Sequence, residues 1–349
     1  MSLTLYVDGE RWRAHLREVV GREPGLVPVC KGNGYGFGLG RLARRSAWLG
    51  VDTLAVGQYD EIGEVESRFP GSVLVLTPWR PFVDAPLEGP AAERVIHTIG
   101  RLEDLAGLRR AAPEARPRVV LELLTSMRRH GFDAAGLRAA AHDLAGVRVE
   151  GVALHLPLAA TGHGDEVERL MTNVVAAGLA TRTIWVSHLG AGELAALRAR
   201  WPDYTFRPRV GTDLWLGDRG ALRVRATVLD SNLVSRGDVF GYRGRRVARS
   251  GTILIVSGGT SHGIGLESPA GAASFRSRAG TLVRGGLDAA GLVRSPFTVD
   301  GKARLFAEPP HMQASMLFLP AGAQVPDVGD EVGVRVRLTA TDFDRVLVT

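Results

Sequence analysis

The chain has 349 residues and a formal net charge of +6; 45% of its residues are hydrophobic and 23% are charged. This is the composition of an ordinary soluble enzyme with room for one large domain and a smaller one. Its 43 basic residues are scattered among 37 acidic ones. No basic run is interleaved with aromatic residues, so we expect no nucleic-acid partner.

The first residues, MSLTLYVDGERWRAHL, contain neither the apolar core nor the cleavage pattern of a signal peptide. No stretch approaches the ~18 uninterrupted apolar residues of a membrane span, so we expect a cytoplasmic protein with no membrane partner. The single cysteine, Cys30, excludes an intrachain disulfide and a cysteine-based zinc cluster. We expect Cys30 to be a small buried residue, and we expect no metal site.

Eight short β-branched runs recur along the first 218 residues, and segments with helical spacing lie between most of them. The runs are LVPVC (26–30), TLAVG (53–57), SVLVLT (72–77), RVIHTI (94–99), RVVLELL (118–124), VEGVALHL (149–156), TIWVSHL (183–189) and FRPRVG (206–211). This alternation predicts an α/β fold of the TIM type, a (β/α)8 barrel over residues 1–218. The active site of such a barrel lies at the C-terminal ends of its strands.

After residue 218 the sequence pattern changes. Segments such as ALRVRATVLDSNLVS and EVGVRVRLTATDF are strand-like and are broken by Gly, Asp and Pro, with little helical periodicity. We therefore expect a C-terminal all-β domain over residues 219–349. The first residues of the chain, about ten, are a candidate to pair with this domain.

Lysine is rare in this chain, since only Lys31 and Lys302 are lysines among the 43 basic residues. Lys31 opens the glycine-rich run KGNGYGFG at the end of the first predicted strand. Schiff-base chemistry needs an amine that can lose its proton, and a guanidinium cannot do so in proteins. Lys31 is therefore a candidate for covalent chemistry.

Polar residues also stand at the ends of other predicted strands. They are Glu122 near the end of the fifth strand with Arg129 beyond it, His155 after the sixth, His188 after the seventh and Arg209 in the eighth. The loop HLGAGE (188–193) offers the backbone N–H groups of Gly190 and Gly192 before a helix, at the usual phosphate site of such barrels. A phosphate-bearing cofactor beside a lysine suggests pyridoxal phosphate.

The segment VCKGNGYGFG resembles the lysine motif of the alanine racemase family, K-A-N-A-Y-G-H-G, with Lys31, Asn33 and Tyr35 in register. The similarity extends over nearly the whole chain. The further segments are TSMRRHGF (125–132), GVALHL (151–156), RVGTDLW (209–215), GDVFGY (237–242), HMQASM (311–316) and VGDEV (328–332). The resemblance implies a fold-type III pyridoxal-phosphate enzyme that racemises an amino acid.

The resemblance also implies roles for single residues. Lys31 would be the Schiff-base lysine and a base on one face of the substrate α-carbon. Tyr35 would hydrogen-bond the phosphate, with Asn33 as a supporting residue. Arg209 would donate to the pyridine nitrogen and keep it unprotonated, since a guanidinium has only donors to offer. His155 would stack near the cofactor ring or hydrogen-bond Arg209.

On the substrate side, the resemblance places Arg129 at the phenolic oxygen of the cofactor and the backbone around Met312 near the substrate carboxylate. In the family, a lysine modified to a carbamate often holds this arginine. Glu122 stands at the corresponding place and carries a negative charge without modification. We therefore predict an ion pair between Glu122 and Arg129.

The sequence departs from the family at the second catalytic residue, a tyrosine in G-Y-x-D-G that the β domain of the partner subunit donates. The corresponding stretch is VSGGTSHGIG (256–265), which has no tyrosine and puts Thr260 at that place beside His262. An unassisted hydroxyl is a poor base, whereas an imidazole could serve if it reaches the α-carbon. Thr260 and His262 are the candidates for the second base. The opposite reading is a solvated turn with no second base.

Three functions stay open at this point. The first is a racemase with a small-molecule amino acid as its substrate and with Lys31 and a β-domain residue as its two bases. The second is a one-base decarboxylase or eliminase on the same barrel, and the third is a protein that binds the cofactor without turnover. By resemblance we expect a head-to-tail homodimer. The loop LPLAATGHGDE (156–166) is expected to contribute to substrate selectivity, with His163 exposed.

Overall fold

The computed structural model describes residues 2–158, 162–266 and 293–349, and the chain divides into two units. One unit, the barrel unit, is Arg13–Gly217, and the other, the β unit, joins Met1–Trp12 to Asp218–Thr349. The first strand, β1 (Leu3–Val7), therefore belongs to the β unit. Within the described residues no helix is long and apolar enough to cross a membrane.

Eight parallel strands form the barrel unit. They are β2 (Val27–Pro28), β3 (Thr53–Val56), β4 (Ser72–Val75), β5 (Val95–Ile99), β6 (Arg118–Leu123), β7 (Arg148–His155), β8 (Thr183–Ser187) and β9 (Thr205–Val210). Each strand from β3 to β8 pairs with the next along the chain, and β9 also pairs with β2. A parallel bridge between Val29 and Ala55 joins β2 to β3 and closes the ring. The predicted barrel is confirmed.

Helices follow the strands, as a parallel sheet requires. The helices within the described residues are α1 (Gly9–Arg22), α2 (Leu39–Trp48), α3 (Ile62–Glu66), α4 (Gly89–Arg94), α5 (Leu102–Ala111), α6 (Ala134–Ala141), α7 (Gly164–Ala176), α8 (Ala191–Arg200) and α9 (Thr212–Leu216). In α2, the buried residues Leu39, Leu42, Ala43 and Ser46 recur at a spacing of three or four, which is the pattern of a helix that buries one face.

Side chains from consecutive strands fill the barrel interior. They are Val27, Val29, Ala55, Leu74, Ile96, Val120, Ala153 and Trp185. The largest, Trp185, fits because β7 carries glycine at position 151, where a Cβ would lie 2.6 Å from the indole Nε1. Cys30 is fully buried and its pKa is raised to about 12 by burial. The prediction that Cys30 is a buried residue is confirmed, and the thiol is not a nucleophile.

The β unit contains an eight-stranded sheet that includes β1, in which β1 and β18 are parallel and the other pairings are antiparallel. Its other strands are β10 (Leu222–Val234), β13 (Gly251–Ser257), β14 (Arg294–Val299), β15 (Lys302–Phe306), β16 (Ala314–Pro320), β17 (Glu331–Val334) and β18 (Arg345–Val348). Two further strands, β11 (Val239–Phe240) and β12 (Arg245–Arg246), form a separate hairpin. The predicted C-terminal all-β architecture is confirmed.

Candidate active site

The carboxyl ends of the barrel strands carry the polar residues that the sequence singles out. Lys31 follows β2, Glu122 lies near the end of β6 and His155 is the last residue of β7. His188 follows β8 immediately, and Arg209 lies next to the last residue of β9. Because all eight strands are parallel, these ends lie at one rim of the barrel.

The backbone at this rim is unusual at three places. Tyr35, Arg128 and His188 have φ angles of 55°, 50° and 59°, a region that L residues rarely adopt. They account for three of the four such non-glycine residues in the described chain. All three are in segments that follow barrel strands, and strained conformations of this kind cluster at functional sites.

The glycine-rich loop after Lys31 places Tyr35. Gly34 has a φ of 61°, and a Cβ there would lie 2.7 Å from the backbone nitrogen of Leu39. The Tyr35 ring is buried, and its hydroxyl lies against Gly211, where a Cβ would overlap it. Burial raises the pKa of Tyr35, so the phenol stays protonated and can donate. Within the described residues this hydroxyl makes no hydrogen bond.

Lys31 is exposed at the rim, where charges of both signs act on its amine. Its pKa is lowered, first by partial burial of the amine and then by the positive charges of Arg129 and Arg209, against the opposing effect of Glu61. A lysine with a lowered pKa has more of its neutral amine at neutral pH. Lys31 is thus suited to react with an aldehyde and to carry protons.

Glu61 is a residue of this site that the sequence did not identify. Its Oε1 accepts the N–H of Gly32 at 2.7 Å, and its Oε2 accepts the N–H groups of Gly57 at 2.6 Å and Gln58 at 3.2 Å. The carboxylate therefore ties the loop that carries Lys31 to the loop after β3. A glutamate just after a strand end in VGQYDE was the only available signal.

Arg209 is buried and incompletely hydrogen-bonded. Its Nη2 donates to the carbonyl of Leu154 at 3.0 Å, whereas its Nε is buried without a partner. Burial lowers its pKa to about 10, against the effect of Glu122, so it is charged at neutral pH. A buried N–H without an acceptor is costly, and a ligand acceptor would relieve that cost.

Glu122 is 3% exposed, and burial raises its pKa to about 7, against the opposing charges of Arg209 and then Arg129. Within the described residues no ion pair within 4.0 Å joins Glu122 to Arg129. The predicted direct pair is therefore wrong. Arg129 is exposed on the loop after β6, and the larger of the two electrostatic effects on Glu122 comes from Arg209.

His155 and His188 meet edge to face, with ring centroids 5.4 Å apart. Burial, and then the charges of Arg209 and Arg129, lower the pKa of His155 to about 3, so its ring is neutral at physiological pH. Its Nδ1 lies 3.3 Å from the hydroxyl of Ser187, and Arg209 bonds the Leu154 carbonyl instead of the His155 ring. His188 donates from Nδ1 to the carbonyl of Leu156 at 2.6 Å.

The side chain of Glu193 occupies backbone N–H groups at the N-terminus of α8. Glu193 accepts the N–H of Gly190 at 2.9 Å and that of His163 at 2.6 Å, and these bonds lower its pKa. The negative charge counts against the predicted phosphate contacts from Gly190 and Gly192. His163 is 7% exposed, so its predicted exposure is wrong. Residues 159–161 of its loop lie outside the described residues.

The candidates for a second base, Thr260 and His262, lie in the β unit on a short 3-10 turn after β13. His262 is buried, its Nδ1 accepts the N–H of Gly259 at 3.2 Å and its Nε2 is 3.2 Å from Asp344. Thr260 is half-buried. Met312 is 73% exposed, and its carbonyl accepts hydrogen bonds from the backbone N–H and the hydroxyl of Ser261.

A family comparison identifies the chain. The sequence model of the alanine racemase N-terminal domain matches residues 7–215. The chain belongs to the alanine racemase family. A curated alanine racemase from Nitratidesulfovibrio vulgaris is 33% identical over 120 residues, an alignment that spans 33% of this chain and 31% of that protein. The chain thus aligns with about a third of this curated relative.

Solved structures of the family have the same fold over nearly the whole chain. Alanine racemase from Bartonella henselae with covalently bound pyridoxal phosphate has a TM-score of 0.74 at 16% identity, with 100% of both chains covered. Histidine racemase from Leuconostoc mesenteroides has a TM-score of 0.69 at 18% identity, covering 99% of this chain and 98% of that one.

Proposed function

We propose that this family member is a pyridoxal-phosphate-dependent amino-acid racemase in which Lys31 binds the cofactor and is one of the two acid–base groups. The main support for this proposal is the position and the electrostatic environment of Lys31. One of only two lysines in the chain stands at the carboxyl rim of the barrel, with its pKa lowered by partial burial and by two arginines.

The residues at the rim fit this cofactor. The Nε of Arg209 is a buried donor without an acceptor, which suits an aromatic ring nitrogen. Tyr35 offers a hydroxyl without a partner among the described residues, beside the glycine at position 211, and this suits a phosphate oxygen. Lys31 and the two arginines, Arg129 and Arg209, supply positive charge for an anionic ligand. Asn33 belongs to the turn that connects Lys31 to Tyr35.

When bound, pyridoxal phosphate supplies an aldehyde that captures amines and an electron sink for charge that develops at the α-carbon. Lys31 would hold or return a proton at one face of that carbon, since the lowered pKa raises the neutral fraction of its amine. Arg209 donates without accepting, so it gives the ring nitrogen no proton. His155 is neutral with a pKa of about 3 and adds no charge beside the ring.

The opposite face of the α-carbon needs a second group for racemisation. The hydrogen bonds of His262 count against this residue, because its Nδ1 lone pair accepts a backbone N–H and its other nitrogen bonds Asp344. The hydroxyl of Thr260 is not activated, because no basic side chain among the described residues accepts a hydrogen bond from it. Neither residue has the features of an activated base.

The missing tyrosine is the observation that favours the second candidate, a one-base decarboxylase or eliminase on the same scaffold. Arg209 opposes decarboxylation, since a strongly electron-withdrawing ring requires an acidic partner at the ring nitrogen. A protein that binds the cofactor without turnover is the third. For each of these three functions we propose a homodimer, by resemblance to the family. Light scattering should then give twice the 37.3 kDa mass of one chain.

Incubation with pyridoxal phosphate and single enantiomers in deuterated water separates the three functions. A panel that includes alanine and histidine covers the side chains named for the relatives. A racemase gives α-deuterium from both D and L forms and a mixture of enantiomers. Loss of carbon dioxide or ammonia without racemisation indicates the one-base enzyme. No α-exchange with any amino acid contradicts both enzymatic proposals.

A further inference from the structure

Three consecutive strands of the barrel unit end in loops that contact one another at the carboxyl rim. The N–H of Trp79, in the loop after β4, donates to the carbonyl of Thr98 on β5 at 2.8 Å. Gly100 follows β5 and approaches Gly131 in the loop after β6, so that a Cβ on Gly100 would lie 3.0 Å from the Gly131 nitrogen. The loops after β4, β5 and β6 therefore form one continuous surface.

Basic residues converge on this surface. Arg80, Arg101 and His130 are the sequence neighbours of the residues that bring the three loops together. Burial, and then three positive charges, lower the pKa of the half-buried His130, so its ring is neutral at neutral pH. The three charges are those of Arg129, Arg80 and Arg101. We call these three guanidinium groups the arginine cluster.

One member of the arginine cluster is neutralised within the chain and two are not. Arg80 bonds the carboxylate of Asp104, and the two side chains are 17% and 6% exposed. Arg101 and Arg129 are exposed, and within the described residues no carboxylate lies within 4.0 Å of either guanidinium. A guanidinium is a planar fork of donors that matches the two oxygens of a carboxylate. The cluster is therefore suited to a carboxylate from outside the chain.

The arginine cluster lies across the rim from the residues that we assign to the cofactor phosphate. In the closed ring of eight strands, β5 and β6 are opposite β9 and β2. Tyr35 follows β2 and Gly211 follows β9, whereas the cluster follows β4, β5 and β6. Arg129 nevertheless acts on the amine of Lys31. The cluster therefore borders the site of reaction without competing for the phosphate.

We propose that the arginine cluster binds the side-chain carboxylate of the substrate, and that the substrate is a dicarboxylic amino acid such as glutamate or aspartate. This inference rests on the proposed racemase function and names its substrate class. Arg101, to which the resemblance gives no role, is the residue that we assign to this carboxylate. Asp104 is a positioning residue, since it acts through Arg80. An uncharged side chain gains no charge-assisted hydrogen bond from the cluster.

The test compares each acid with its amide, which has the same shape and no charge. We expect kcat/KM for α-deuterium exchange to be at least about 10-fold higher for glutamate than for glutamine, or for aspartate than for asparagine. Arg101→Gln should remove this preference and leave exchange from the amide unchanged. Arg110→Gln, at an exposed position near the other end of α5, is the matched control and should keep the preference.

Three results would overturn the proposal. The first is a wild-type protein that exchanges other amino acids and does not prefer either acid. The second is a preference that Arg101→Gln leaves intact. The third is an equal fall for acid and amide in Arg101→Gln, which would mean that Arg101 binds the α-carboxylate that all amino acids share.

A second readout does not require turnover. Glutarate has two carboxylates and no amine, so it cannot react with the cofactor aldehyde. Calorimetric titration of the protein with bound pyridoxal phosphate should show glutarate binding that Arg101→Gln weakens about 10-fold and Arg110→Gln does not. Glutarate binding that is the same in Arg101→Gln overturns the cluster as a carboxylate site. No exchange with any amino acid contradicts the racemase function instead, so the two failures are distinct.

Discussion

The carboxylate of Glu61 accepts the backbone N–H of Gly32, the residue after Lys31, at a distance of 2.7 Å. The same side chain accepts two N–H groups of the loop after β3. Lys31 is therefore held on a loop that the Glu61 side chain fixes to the neighbouring loop. Such support is the usual requirement for a group that must be placed within a fraction of an ångström.

Glu61→Gln replaces one accepting oxygen by a donating NH2 group that faces backbone N–H groups. We expect the free energy of unfolding to fall by roughly 1 kcal/mol, since these exposed and part-buried N–H groups lose an acceptor that water partly replaces. The pKa of Lys31 should fall further, because Glu61 raises it in the wild type. The pH dependence of acylation by a limiting reagent, read by mass spectrometry, measures this pKa with Lys302 as an internal reference.

Glu64→Gln is the matched control for this experiment, since Glu64 is exposed on α3 close to Glu61. It should leave both the stability and the Lys31 titration unchanged. An unaltered Lys31 titration in Glu61→Gln would show that the carboxylate does not act on the amine.

Tyr35→Phe removes the hydroxyl that we assign to the phosphate. A hydrogen bond to a charged group contributes about 1.5–3 kcal/mol, so we expect cofactor affinity to fall by roughly 10- to 100-fold. Equilibrium titration with pyridoxal phosphate measures the change. Tyr204→Phe removes a hydroxyl that bonds Arg182, and it should keep the wild-type affinity. Equal affinities of the two variants for pyridoxal phosphate would show that Tyr35 does not bind the phosphate.

The raised pKa of Glu122 predicts that the free energy of unfolding depends on pH. Burial raises its pKa from 4.5 to about 7, so the folded protein holds this proton more tightly than the unfolded chain does. Below pH 4.5 the group is protonated in both states and costs nothing. As pH rises from 4.5 towards 7 the unfolded chain ionises this group while the folded protein keeps it protonated, so stability falls by at most roughly 3 kcal/mol.

Glu122→Gln removes this ionisation. We expect the variant to gain stability relative to the wild type as pH rises through the window between 4.5 and 7, and to show no such gain below it. Urea unfolding at a series of pH values measures the difference. A difference that is independent of pH would mean that Glu122 is ionised throughout, held by the charges of Arg209 and Arg129.

We expect His262 to contribute to the stability of the β unit and not to catalysis. Its ring bonds the Gly259 N–H and Asp344, so His262→Ala should lower the free energy of unfolding by roughly 1–3 kcal/mol. Deuterium exchange from both enantiomers should persist in the folded variant. Selective loss of exchange from one enantiomer would instead make His262 the second base, as the sequence first suggested.

Much of the fold could be predicted because buried parallel strands are short β-branched runs that local sequence displays. Lys31, His155 and Arg209 could be placed because each stands at the end of such a run. The contacts of Glu61 could not be predicted, since its three partners come together only when the barrel closes. The same holds for His262, whose partner Asp344 is 82 residues away.

One local feature of the sequence bears on the phosphate contacts predicted for the loop after β8. Glu193, the third residue after Gly190, has the spacing of a capping carboxylate, which explains why the N–H of Gly190 is already bonded. The predicted contact of Glu122 with Arg129 was wrong because Arg129 is exposed on its loop, and only the fold shows that Arg209 has the larger effect.

The most direct measurement is borohydride reduction of the protein with pyridoxal phosphate, followed by proteolysis and mass spectrometry to locate the modified lysine. The chain has only Lys31 and Lys302, so the assignment is unambiguous. We predict a visible absorbance band before reduction and a label on Lys31 alone, with Lys302→Arg labelled as the wild type is. No band, or a label on Lys302, would contradict the proposed function.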